Sequence, residues 1–247
     1  RDKALVEKDP RKAIPAIVAL ARLSGKDSIH HKDTDPAADP VLREQLLVAL
    51  DKLDWTALKP SDRADLLRAY SLVFIRLGKP ESDATERLIA KFDPLFPTKR
   101  PESDALLARL LIYLEAPTAA AKVVDALLAA PTQEEQIDLA VALRTLKSGW
   151  TASSREKYFR WFITAEAYRG GNTFASSLRT AKNDAIKLLS DDDKSVLQPI
   201  LDAPVERKSP RDLLAARPFV KKWTLEELLP LVENGRNGGR NFERGRQ

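Results

Sequence analysis

The sequence predicts an all-α chain, a HEAT-like α-solenoid built of antiparallel helix hairpins. Three observations carry that expectation. Apolar residues recur at helical spacing along most of the 247 residues, and no run alternates with period two for long enough to compete as a strand. Helix start and stop residues bracket those runs. The turns between them are short and polar, which sets neighbouring helices antiparallel, and a row of such hairpins is an α-solenoid.

In order, helices are expected at 11–23, 41–53, 61–77, 82–92, 103–115, 118–130, 133–147, 154–167, 174–189, 192–202, 210–216 and 224–233. The third rests on one apolar stripe, Leu66, Leu67, Tyr70, Val73, Phe74 and Leu77. The fifth rests on Leu106, Leu107, Leu110, Leu111 and Leu114, and a shorter stripe is formed by Val196, Leu197, Ile200 and Leu201. Thr132 with Glu135, Ser153 with Glu156 and Thr224 with Glu227 have capping-box spacing, in which the hydroxyl accepts from an early amide while the carboxylate reaches back. Ser209-Pro210-Arg211-Asp212 sets a cap, a first-turn proline and an acid in sequence. Gly78, Gly149, Pro80, Pro117, Pro131 and Pro204 stand where periodic runs should stop. The pentapeptide Pro-Glu-Ser-Asp-Ala occurs at Pro80 and again at Pro101, a faint echo that a shared capping solution explains equally well. The uneven helix spacing points to degenerate HEAT-like pairs. Residues 26–40 are the one long polar loop expected in the body.

Composition bounds the function. At 43% hydrophobic and 31% charged, the chain has the make-up of a folded globular protein. No apolar run is long enough to span a bilayer, so no membrane span is expected. Cysteine is absent, which excludes thiol catalysis and disulfides within these residues. The chain opens at Arg1 and holds no methionine, which predicts a piece of something longer. The net charge of +5 is uneven: residues 1–204 hold 31 basic and 30 acidic side chains, and residues 205–247 hold 10 and 6. A solvated linker is the preferred reading of that excess. A nucleic-acid surface around Arg207 to Lys222 and Arg236 to Arg246 is the alternative, with no nucleic acid expected on the main reading.

The candidate sites are few. His30 and His31 sit among Asp27, Asp33 and Asp35, but adjacent side chains point apart, so a solvated loop is expected in place of a metal site. Asp191, Asp192 and Asp193 look like a cluster but suit the positive end of the helix that follows. "YFRWF" (Tyr158 to Phe162) and "AYRGGN" (Ala167 to Asn172) crowd aromatics beside a Gly-Gly turn. A core layer is the preferred reading, with Asn172 taking a positive φ at the turn and Tyr168, Arg169 and Asn172 as a domain-docking group. No phosphate loop, nucleophile elbow or Ser/His/Asp set is present, so no catalytic residue, metal or cofactor is expected within this chain.

The ending "GRNGGRNFERGRQ" holds four of the nine glycines. Asn241 is placed to cap a helix in which Phe242 is the first apolar residue, with Gly245 three residues on. A glycine inside a short helix costs about 1 kcal/mol relative to Ala, which points to a close helix crossing.

That arrangement resembles the first helix of a class I c-type cytochrome, ahead of Cys-x-x-Cys-His. The segments Phe92–Pro97 ("FDPLFP"), Leu110–Pro117 ("LLIYLEAP"), Ala130–Ile137 ("APTQEEQI"), Leu143–Thr151 ("LRTLKSGWT"), Tyr158–Phe162 ("YFRWF"), Tyr168–Phe174 ("YRGGNTF") and Lys221–Gln247 resemble more. They are similar to the helical-repeat region of large multidomain haem-binding proteins labelled membrane-bound dehydrogenases. The likeness covers about residues 45–247. It implies a helical repeat domain at 1–233, a Gly/Arg linker at 234–241 including Gly235, Gly238, Gly239 and Arg240, and at 242–247 the start of a cytochrome c entry helix with Phe242 and Gly245. It further implies haem c downstream, a propeller-type domain upstream, a periplasmic or extracellular location, and a non-catalytic scaffold that positions the electron-transfer domain. A free-standing interaction module remains the alternative.

Overall fold

Prolines open four of the helices, and in each the ring occupies the first helical position, where the missing N–H has no intrahelical acceptor to lose. Those helices are α2 (Pro10–Leu23), α3 (Pro40–Asp51), α4 (Pro60–Leu77) and α6 (Pro101–Tyr113). Each therefore begins one or two residues before the position expected from the apolar stripe. The carboxylate of Asp9 accepts from the Arg11 amide at 3.1 Å, and that of Asp39 accepts from Val41 and Leu42 at 2.9 and 3.0 Å. The rest of the set is α1 (Asp2–Val6), α5 (Ser82–Phe92) with a 3-10 turn at Asp93–Leu95, α7 (Ala119–Ala129), α8 (Gln133–Leu143), α9 (Ala152–Ala165), α10 (Phe174–Lys187), α11 (Asp191–Leu201) and α12 (Leu225–Arg236). Every regular element among the described residues is helical, so the chain is all-α. The structure, a computed structural model, describes residues 1–25, 27, 33–204, 220–238, 241 and 243.

The chain divides into two units, Arg1–Val205 and Glu206–Gln247. The boundary falls before the expected end of the repeat domain at 233. In the second unit, Thr224 accepts from the Glu227 amide and the Glu227 carboxylate accepts from the Thr224 amide at 3.1 Å, the full box read from the sequence. That helix runs to Arg236, three residues into the stretch expected to be linker. The helix expected at 210–216 and its Ser209 cap lie outside the described residues.

Two local expectations are corrected. Helix α9 is capped by Thr151, whose hydroxyl accepts from the Ser154 amide at 3.1 Å while Ser154 Oγ accepts from the Thr151 amide at 3.0 Å. Ser153 and Glu156 have the right spacing but lie inside the helix, because the serine side chain closes the same box as a glutamate. Helix α8 stops at Leu143, four residues early. The chain there tightens into turns, Leu146 N–H donating to Leu143 O at 3.0 Å, which carries Leu146 into the core before Gly149 turns with φ 77°. The stop at Gly78 is as expected, with φ 85° and the amide bonded to Phe74 O at 2.9 Å.

In the first unit, helices pack on the neighbour after next as well as on the next. Helix α4 packs against α2, α3 and α6; α8 packs against α6, α7 and α10; α9 packs against α7, α10 and α11. An ion-pair ladder accompanies this order. Arg68 of α4 pairs with Glu102 of α6 at 2.5 Å, Arg109 of α6 with Asp138 of α8 at 3.0 Å, and Arg144, at the C-cap of α8, with Asp184 of α10 at 3.8 Å. Among the odd-numbered helices, Asp51 of α3 pairs with Arg87 and Lys91 of α5, Asp125 of α7 with Lys157 of α9, and Arg155 of α9 with Asp193 of α11.

The core is continuous through the unit. Tyr158, Phe159, Trp161 and Phe162 are all buried, so "YFRWF" is the aromatic core layer expected of it, with Tyr158 at 5.2–5.3 Å from Phe159 and Phe162. In α11 the stripe is narrower than read: Leu197 and Ile200 are buried, whereas Val196 is 74% exposed.

Candidate functional site

Helix α4 presents two faces. One holds the buried stripe that the sequence shows; the other carries Asp65, Arg68, Leu72 and Ile75, spaced three and four apart and hence on one side. This second face is the floor of a trough. Helix α2 forms one wall with Arg11, Ile14, Val18 and Arg22, and α6 the other with Leu106, Arg109 and Tyr113. The three helices run in the same direction with their C-terminal ends together. Arg76 near the end of α4 donates to Gly25 O just past α2 and to Asp27, and Phe74 of α4 stacks on Tyr113 of α6 at 5.1 Å with an interplanar angle of 13°. The trough encloses about 980 Å3. Its apolar lining is open to water, Ile75 on the floor being 56% and Tyr113 on the wall 42% exposed.

The trough was missed from the sequence, and the signal that could have found it is Ile75. It is an exposed apolar residue off the buried stripe, three residues after Leu72 and seven after Arg68 on the same side of the helix. Leu106 was assigned to the buried stripe of α6 but lies at the trough wall, half-buried.

Two charged networks elsewhere in this unit, around Asp51 and around Arg43, tie helices together. The Tyr70 hydroxyl donates to Asp51 Oδ1 at 2.6 Å, and Lys91 and Arg87 each reach the same carboxylate at 3.0 Å. Burial alone would raise the Asp51 pKa; the bonds from Tyr70 and Lys91, with the Lys91 charge and Arg87, outweigh it and hold the group below its ordinary value. Burial, with the Asp51 charge, pushes Tyr70 well up, so it stays a donor. Arg43 is buried and reaches Leu77 O and Glu81, at 3.4 and 2.7 Å, tying α3 to the end of α4.

The docking group expected at 168–172 is partly turned inward. The Tyr168 hydroxyl donates to Gln136 Oε1, which also accepts from Trp161 Nε1 at 2.8 Å. The backbone of Arg169 is clasped by Gln133, which donates to its carbonyl at 2.8 Å, and only the Arg169 side chain and Asn172 stand in solvent. Asn172 does not take the positive φ expected of it, nor do Gly170 and Gly171; the turn closes through Phe174 N–H donating to Gly171 O at 2.9 Å. Asp191, Asp192 and Asp193 occupy the first turn of α11 behind the Ser190 cap, as expected. His30 and His31 lie outside the described residues, as do Gly239, Arg240, Phe242 and Gly245 and most of the basic stretches weighed as a nucleic-acid surface. Gly238 is described, with φ 111°, just past the end of α12.

Among the described residues no group of three His, Cys, Asp or Glu side chains is placed to hold a metal ion, and no helix is long and apolar enough to cross a membrane. No family model, curated protein or solved structure matches the chain.

Proposed function

We propose that the chain is a non-catalytic, HEAT-like helical scaffold that positions a C-terminal cytochrome c domain in a multidomain redox protein. The observation that carries the scaffold reading is the packing order of the first unit. Helix pairs stack on the pair after them, and from α4 to α10 successive steps are tied by ion pairs, which makes a stiff row on which a second domain can be held in place.

The haem domain enters through the resemblance of Lys221 to Gln247 and of the upstream segments. What supports a tether there is the end of α12 at Arg236, followed by Gly238 in the left-handed region, where the chain leaves the helix. On this reading Gly235, Gly238, Gly239 and Arg240 belong to the link to the haem domain, and Phe242 and Gly245 open its entry helix. Haem c is then held downstream, a propeller-type domain lies upstream, and the protein works in the periplasm or outside the cell.

The coding sequence beyond Gln247 tests this directly. A Cys-x-x-Cys-His within a few dozen codons is expected; a stop codon or an unrelated polar sequence ends the haem part of the proposal. In a protein that carries the domain, replacing the tether with a rigid helix is expected to slow inter-domain electron transfer, and an unchanged rate removes reorientation from the account. The trough favours a second reading, a free-standing protein-interaction module.

A further inference from the structure

We infer that the trough of α2, α4 and α6 is a docking site for one amphipathic α-helix of a partner protein that carries acidic residues beside its apolar face. The inference rests on the scaffold reading only in that the chain works by binding, and it makes no use of the haem domain.

The width argues for a helix. Packed helices lie about 8–10 Å apart, so α2 and α6, each packed on α4, have axes at most roughly 16–20 Å apart. The gap above α4 is then at most about one helix diameter, ~10 Å, room for a single helix seated on its apolar floor. Leu72 and Ile75 on the floor, with Val18 and Leu106 on the walls, offer the contact that an i, i+3, i+7 apolar stripe fills.

The charge argues for acids. Of the charged residues lining the trough, Arg68 is neutralised by Asp65 and Glu102, and Arg109 by Asp138. Arg11 and Arg22 have no ion-pair partner among the described residues, and Asp62 is the one carboxylate of the lining that faces no cation there. The unpaired cations thus lie on the α2 wall, whereas the carboxylates without a cation of their own, Asp62 and the second partner of Arg68, lie on α4 and α6. Arg11 and Arg22 lie eleven residues apart on α2, three turns or about 16 Å on one side of the helix. A docked helix meets both with two acidic residues eleven apart. Helix α2 is where the ladder of α4, α6 and α8 lacks a rung: the arginines that would bridge onward are the two left open.

The test uses the whole chain and a designed peptide of about five helical turns, with a leucine stripe and two glutamates eleven residues apart, read by fluorescence anisotropy. Control peptides carry lysines at those two positions or scramble the stripe. The glutamate peptide is expected to bind at least about fivefold more tightly than the lysine peptide, a preference that weakens with salt. The double variant Arg11→Glu, Arg22→Glu is expected to reverse that order. Ile75→Glu, at a position already exposed, is expected to abolish binding while leaving the helical circular dichroism intact. Equal binding of all three peptides overturns the proposal, as does binding that survives Ile75→Glu. Sedimentation that shows a dimer lost on Ile75→Glu also overturns it, because a second copy then covers the trough.

Discussion

At the scale of single residues, the polar groups with the tightest geometry hold helices together. Asp51 joins α3 to Tyr70 of α4 and to Arg87 and Lys91 of α5. Its carboxyl titrates below the ordinary 3.8, so the unfolded chain binds its proton more readily than the folded one. The stabilisation from this site is therefore complete above about pH 4 and is lost as pH falls through the folded value. Asp51→Asn is expected to lower stability at pH 7 by about 2 kcal/mol, the scale of hydrogen bonds to a charged group, and to flatten the acid limb of a urea-denaturation series. An unchanged acid limb removes Asp51 from that account. Gln136 is a second such residue. Replacing it with Leu strands the Trp161 indole N–H and the Tyr168 hydroxyl, with an expected loss of about 2 kcal/mol and a disturbed tryptophan fluorescence. These networks were not legible in the sequence, because the partners are 19 to 40 residues apart and no local pattern links Asp51 to Lys91.

At the scale of elements, local chemistry is a good guide to where a helix exists and a poorer one to its ends. Eleven of the twelve described helices occupy segments read as helical in advance; α1 is short and has no apolar stripe. The start of α9 shows why ends are harder. Thr151 and Ser153 are both hydroxyl residues three ahead of a side chain able to close a capping box, and only the backbone conformation selects Thr151, which is extended with ψ 159°. Thr151→Ala is expected to lower the midpoint of unfolding by the equivalent of about 1 kcal/mol, whereas Ser153→Ala is expected to change it little. Thermal denaturation of the two single variants separates them, and equal effects would return the cap to Ser153.

At the scale of the whole molecule, the buried apolar cluster lies between Ala13 and Ile200, inside the first unit. A chain ending at Pro204 is therefore expected to keep its helical circular dichroism and to unfold in one cooperative transition. Loss of that transition would mean that residues 205–247 complete the core. The all-α character, the order of the helices and the aromatic layer at Tyr158–Phe162 were determined by the sequence alone, because apolar spacing, caps and breakers act within a few residues of one another. The trough, the inward turn of Tyr168 and the two open arginines of α2 were decided only by the tertiary structure. Each depends on which helix lies beside which. An arginine on α4 and one on α2 look alike along the chain, and only the packing of α6 against α4 provides Glu102 for Arg68 while leaving Arg11 and Arg22 facing water.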